Sequence, residues 1–266
     1  MKNKLMISLI LIFAGFNFAA AEDYSKLVIE AEDAFRQALS LMSTNKSKSV
    51  DLFRDACDFY NEYFEKTGTV SPALFYNAGN AYFMAGDYGW AIYFFKKGLD
   101  LSPGNKDLKF NLNAAREARL DDLGDSEQLS LVKVLLFWHY GLNLLTKLCL
   151  VSLFFIAFTV LLLLFILRKR KYLLVTAIVC FSLAAVFTAS FLIYGYEKEN
   201  DKQGVVIANE VILRKGDNNS YQPVFDGPLH SGAEFTLLDI RNGWAFVKIE
   251  NIGEGWLPEN STVIIE

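Results

Sequence analysis

Four consecutive basic residues, Arg168-Lys169-Arg170-Lys171, separate two long apolar runs, and few chain topologies accommodate that order. Residues 148–167 carry no charge. About 20 residues at about 1.5 Å each reach across a ~30 Å hydrocarbon core. Residues 172–194 form a second uncharged run. The connection between the runs is too short for anything but a hairpin turn, and short Lys/Arg-rich loops stay cytoplasmic. The pattern predicts transmembrane helices over 148–167 and 172–194 with a cytoplasmic turn at 168–171. Both flanking parts of the chain then lie on the opposite side of the membrane.

The amino terminus agrees independently. Lys2 and Lys4 precede an apolar stretch over 5–13, and Ala19-Ala20-Ala21 leads into Glu22-Asp23. This reads as a signal peptide over 1–21. An uncleaved anchor with its basic end inside would export residue 22 onward just the same. No cysteine follows the apolar stretch, which argues against a lipoprotein anchor. The formal net charge of −4 argues against nucleic acid, which needs a basic surface. Of three cysteines, Cys149 and Cys180 fall in the apolar runs and Cys57 stands alone before them. The exported parts therefore hold no internal disulfide and depend on packing. A lone thiol on such a helical segment is expected to be buried and inert.

Residues 22–125 read as helical, with Pro72 and Pro103 the only prolines. Within 72–105, Phe75, Ala78, Gly79 and Tyr82 recur at helical spacing. Gly86-Asp87-Tyr88 then makes a turn, and Ala91, Phe95, Gly98 and Leu99 follow on a second helical face. Ser71 before Pro72 is a good cap with proline at the first helical position. The spacing resembles the tetratricopeptide repeat, two antiparallel helices in about 34 residues. Small Ala78, Gly79 and Ala91 allow close helix approach, while Tyr82 and Phe95 fill the space beside them. One departure is Gly98, where that family usually has alanine; glycine costs up to ~1 kcal/mol of helix propensity.

A single repeat cannot bury its own faces, so neighbours are expected. Phe110-Asn111-Leu112 echoes Tyr76-Asn77-Ala78 downstream. Upstream, Ala56, Tyr60 and Tyr63 belong to a degenerate repeat whose first helix lies near 28–42 and whose turn lies at 43–49. By the family pattern, Tyr76, Asn77, Asn80, Phe83, Met84 and Asn111 line a concave groove. Asparagines there could bond an extended peptide, since they both donate and accept; equally, they could bridge neighbouring helices. Phe83 and Met84 could equally be core.

Asp121-Asp122-Leu123-Gly124-Asp125 forms an acidic linker. Beyond it, Leu131, Leu135, Trp138, Leu142 and Leu145 share one helical face, predicting an interfacial amphipathic helix over 129–146. The rival reading starts the first span near Val134, which would set Lys147 inside the membrane at a cost of a few kcal/mol. His139 has no Cys, Asp or Glu near it in sequence and is read as interfacial.

Residues 204–266 change period. Short β-type runs at 205–207, 211–213, 235–238, 245–249 and 263–265 alternate with turn sequences such as Asn242-Gly243. The motifs Leu213-Arg214-Lys215-Gly216, Leu229-His230-Ser231-Gly232, Asn242-Gly243-Trp244 and Gly255-Trp256-Leu257-Pro258 resemble the bacterial SH3-like domain, a small all-β barrel. Trp244 and Trp256 are then structural, or else form with Tyr221 and Phe225 an exposed aromatic face for a peptide or wall polymer. His230 sits in a turn with no partner acid in view. The predicted fold is thus an all-α tetratricopeptide-repeat solenoid, a two-helix transmembrane hairpin and a small all-β SH3-like barrel.

That order of parts, together with the stretch from Asn77 to Tyr82, Gly86-Asp87-Tyr88 and the stretch from Pro223 to Phe235, resembles the BatE-type proteins of the Bacteroides aerotolerance (Bat) system. The resemblance implies a bacterial inner-membrane protein with both folded parts periplasmic. It implies an adaptor in an aerotolerance or envelope-stress complex with membrane-bound von Willebrand A-domain proteins and a MoxR-type ATPase. With no glycine-rich phosphate loop, no metal-ligand cluster and only two histidines, the sequence supplies no catalytic residue, metal or cofactor. The competing expectation is a receptor whose SH3-like domain grips peptidoglycan.

Overall fold

The computed structural model describes residues 25–121, 123 and 136–265. The signal peptide read over 1–21, most of the acidic linker and the first part of the amphipathic helix lie outside them. Five helices form the amino-terminal part: α1 over 25–41, α2 (Lys46–Thr67), α3 (Pro72–Ala85), α4 (Tyr88–Leu101) and α5 (Lys106–Ala118). The turn expected at 43–49 is shorter, because the Asn45 side chain caps α2 by accepting from the Lys48 N–H. Ser71 caps α3 by accepting from the Leu74 N–H, with Pro72 behind it. Gly86 closes α3 at φ 88°, and its N–H returns to Phe83 and Tyr82 carbonyls.

Aromatic side chains weld these helices together. Phe94 of α4 stacks on Phe64 of α2 at 5.4 Å between ring centroids and on Tyr82 of α3 at 5.3 Å. Two glycines set the helix spacing. A Cβ on Gly79 would stand 2.4 Å from the Phe95 ring, so only glycine admits that ring. A Cβ on Gly98 would stand 2.9 Å from both Leu108 methyl groups. The departure from alanine at Gly98 is therefore compensated: the lost helix propensity lets α5 seat a fully buried Leu108.

Next come a short helix α6 (Phe137–Tyr140), then α7 (Leu144–Arg168) and α8 (Lys171–Asn200). The single amphipathic helix expected over 129–146 is interrupted at residues 141–143, where Asn143 instead caps α7 by accepting from the Thr146 N–H. Lys169 adopts a left-handed conformation (φ 53°) between α7 and α8, which reverses the chain within two residues. The hairpin is sealed by Phe154 against Phe187 (5.9 Å) and Phe158 against Phe181 (5.1 Å), with buried Ala177 and Ala184 allowing close approach. Both helices are long and apolar enough to cross a membrane, and their outward faces carry exposed Ile156, Leu163, Val175 and Leu192.

The carboxy-terminal part has seven strands: β1 (Gln203–Val206), β2 (Glu210–Val211), β3 (Leu229–His230), β4 (Glu234–Arg241), β5 (Trp244–Ile249), β6 (Gly253–Pro258) and β7 (Thr262–Ile265). The main sheet is antiparallel in the order β6-β5-β4-β1-β7, and β2 pairs only with β3. The expected barrel does not close, since β6 and β7 stay at opposite edges. Each edge has its own cover instead. Arg214 and Trp256 exchange two backbone hydrogen bonds of 3.0 and 2.7 Å along β6, and β7 lies against α4. Leu213, Leu229, Val247, Ile249 and Leu257 fill the core of this domain. Asn242-Gly243 forms the β4–β5 turn with positive φ at both residues (55° and 76°).

Candidate functional site

The groove residues named from sequence all fall on α3 and α5, and none is fully buried. Asn111 donates through Nδ2 to Asn80 Oδ1 at 2.7 Å, tying α5 to α3. The Asn77 side chain acts on the Tyr60 hydroxyl of α2, offsetting part of the upward push that burial gives its pKa. Asn80 and Asn111 thus bridge α3 and α5 and are committed to each other. Tyr76, Phe83 and Met84 pack partly against the helical core and partly face out, leaving a surface of mixed polarity.

The opposite side of the repeat is occupied by the β domain. Glu234 of β4 receives Lys96 Nζ of α4 at 2.8 Å and a bidentate clasp from Arg116 of α5 at 2.7 and 3.0 Å. Arg119 Nη1 lies 3.5 Å away. Burial alone would raise the Glu234 pKa, but Lys96, followed by Arg116, overcomes it and holds the carboxyl down at about 2. Around this charge, Val205, Val263 and Ile265 join the helical hydrophobic core, and the Gly89 N–H donates to Ser231 Oγ at 3.0 Å. Gly89 is irreplaceable there, because a Cβ would stand 2.4 Å from the Val206 carbonyl oxygen.

His230 corrects the sequence reading twice. It lies in β3, and Asp121 supplies the partner acid: the His230 backbone N–H donates to Oδ2 at 2.7 Å and the ring Nδ1 lies 2.6 Å from Oδ1. His139 is corrected likewise. From α8, Ser190 Oγ approaches Nδ1 at 2.8 Å and Glu197 Oε2 approaches Nε2 at 3.2 Å. The serine–histidine–acid order invites a catalytic reading, but Ser190 lies mid-helix and is 4% exposed. Its surrounding backbone N–H groups serve the helix, so no donor pair is left for an oxyanion. The cluster locks α6 onto α8. Nearby, Lys147 is fully buried in the first turn of α7, its ammonium 4.6 Å above the Tyr194 ring and without a hydrogen bond.

In the β domain, Trp256 is buried, stacked on Phe246 at 5.0 Å and covered by the Arg241 guanidinium at 4.6 Å. Trp244 and Phe225 are half-buried, and Tyr221 is half-exposed over Gly216. Of the four, only Tyr221 is exposed. Cys57 is buried, which pushes its thiol far above the ordinary range. Among the described residues no group of three or more His, Cys, Asp or Glu side chains could hold a metal ion.

Helix lengths, caps and the α3–α4 packing all follow one repeat pattern. Residues 72–105 match the tetratricopeptide repeat. The match spans α3, α4 and their closing turn, and it supports a protein–protein interaction role for this part of the chain. No curated protein matches the chain.

Proposed function

We propose that this protein is a non-enzymatic adaptor of a bacterial inner membrane, anchored by α7 and α8, with its repeats and β domain together on the periplasmic side. One observation carries the reading. The repeat spends one side on the β domain through Glu234 while its α3–α5 side keeps a partly exposed, mixed-polarity surface. A module so held presents its groove in a defined orientation above the membrane. Tyr76, Asn77, Asn80, Phe83, Met84 and Asn111 form the proposed contact surface for a partner segment.

The finer identity follows from the resemblance already drawn. We take the open sheet as a divergent SH3-like domain and the whole as a Bat-type scaffold. Its partners are then membrane-bound von Willebrand A-domain proteins, and its setting is aerotolerance or envelope stress. A wall-binding receptor has less support, because Trp256 is buried while Tyr221 is exposed.

A photo-crosslinking amino acid at Phe83 in the full chain, activated in native membranes, tests this. Capture of a von Willebrand A-domain membrane protein is the expected result. No adduct from Phe83, with wall fragments captured from Tyr221 instead, would replace the adaptor by the receptor.

A further inference from the structure

Where α4, α6, the end of α8 and β1 meet, the protein forms an open cavity of about 740 Å³. That lies within the ~300–1,000 Å³ range of small-molecule sites. On the membrane reading above, its depth follows from α8. The uncharged run 172–194 at about 1.5 Å per residue covers about 34 Å, a little more than a hydrocarbon core. Tyr194, which lines the cavity, therefore stands at the core boundary, and Lys198, one turn further, stands among the lipid headgroups.

The charges in the wall are balanced and mutually unspent. Lys96 is committed to Glu234 and Gln203, and Glu197 to His139. Lys109, Lys198, Asp100 and Asp201 make no ion pair among the described residues. Lys198 acts on Asp100 electrostatically, ahead of Lys97 and Lys96, and the two form no ion pair with each other. Two cations and two carboxylates facing one space match a ligand that carries both signs. Phe137, 69% exposed at the cavity edge, offers an apolar exit for a chain attached to it.

We infer that this cavity binds the headgroup of a zwitterionic phospholipid with a primary ammonium, such as phosphatidylethanolamine. The lysines take the phosphodiester and the aspartates take the ammonium. A primary ammonium donates three hydrogen bonds, and a choline headgroup has none to donate. An anionic headgroup without a cation would satisfy the lysines and leave the carboxylates facing it.

The test uses the full chain purified in mild detergent, with bound lipid counted by native mass spectrometry after addition of phosphatidylethanolamine, phosphatidylglycerol or phosphatidylcholine. The expected result is a one-to-one phosphatidylethanolamine adduct favoured about tenfold over the other two. The double variant Lys198→Ser, Asp201→Ser should lose that preference with an unchanged thermal midpoint. Equal retention of the three lipids, or full retention by the double variant, would overturn the site. Competition by water-soluble glycerophosphoethanolamine as strong as by the lipid would overturn the lipid as its source. Extraction of the protein by alkaline carbonate without detergent would instead remove the membrane reading itself.

Discussion

Replacing Glu234 by glutamine should cost about 3–5 kcal/mol of unfolding free energy, the range for removing one partner of a buried charge cluster. The carboxylate is 11% exposed and answers three cations on α4, α5 and the segment after it, so its loss removes their shared anion from a nearly dry site. The pH dependence follows from the same contacts. Glu234 titrates at about 2 when folded against an ordinary 4.5, so its contribution is fully present above about 4.5 and disappears as pH falls toward 2. That shift corresponds to about 3 kcal/mol, in line with the mutational figure. Denaturant unfolding of the full chain in detergent at pH 7 and pH 3 measures both. A loss below about 1 kcal/mol at pH 7 would mean that the repeat and the β domain are not one cooperative unit.

Lys147→Met should act in the opposite direction. The native ammonium is fully buried, has no hydrogen bond and rests on the Tyr194 ring, with the Glu197 carboxylate attracting it from beyond ion-pair distance. A cation over an aromatic face recovers about 2 kcal/mol when desolvated, less than the several kcal/mol that burial of an ion costs. Methionine keeps the length of the side chain and removes the charge, so a gain of about 1–4 kcal/mol is expected from thermal unfolding in detergent. A loss instead would show that the ammonium is satisfied by a group it does not touch in the isolated chain.

Local signals were readable wherever chemistry and geometry coincide in a few residues. Ser71-Pro72 and Gly86 marked both ends of α3, Asn242-Gly243 marked a hairpin turn, and the two uncharged runs marked α7 and α8. Strand β6 was not read as a strand because Gly253, Gly255 and Pro258 dilute its β character; its pairing with β5 supplies what propensity lacks. The two histidines were misjudged for a different reason. Their acids lie 58 residues away at Glu197 and 109 residues away at Asp121, and no sequence period links them. The docking of repeat on sheet through Glu234 was equally hidden, because a glutamate at the start of a largely apolar strand carries no mark of the three cations it meets. The candidate groove was legible as a repeat face, whereas the Asn80–Asn111 bridge emerged only from the packing of α3 on α5.

That docking also constrains the topology proposed above: if α7 and α8 span a membrane, two domains in contact share one side and the chain between them crosses and returns. Alkaline phosphatase, which folds only outside the reducing cytoplasm, can be fused at the carboxyl end and, separately, inserted between Lys169 and Arg170. Activity at the carboxyl end with none in the turn is the expected pattern. Activity in the turn with none at the carboxyl end would place both domains in the cytoplasm and contradict the arrangement described here.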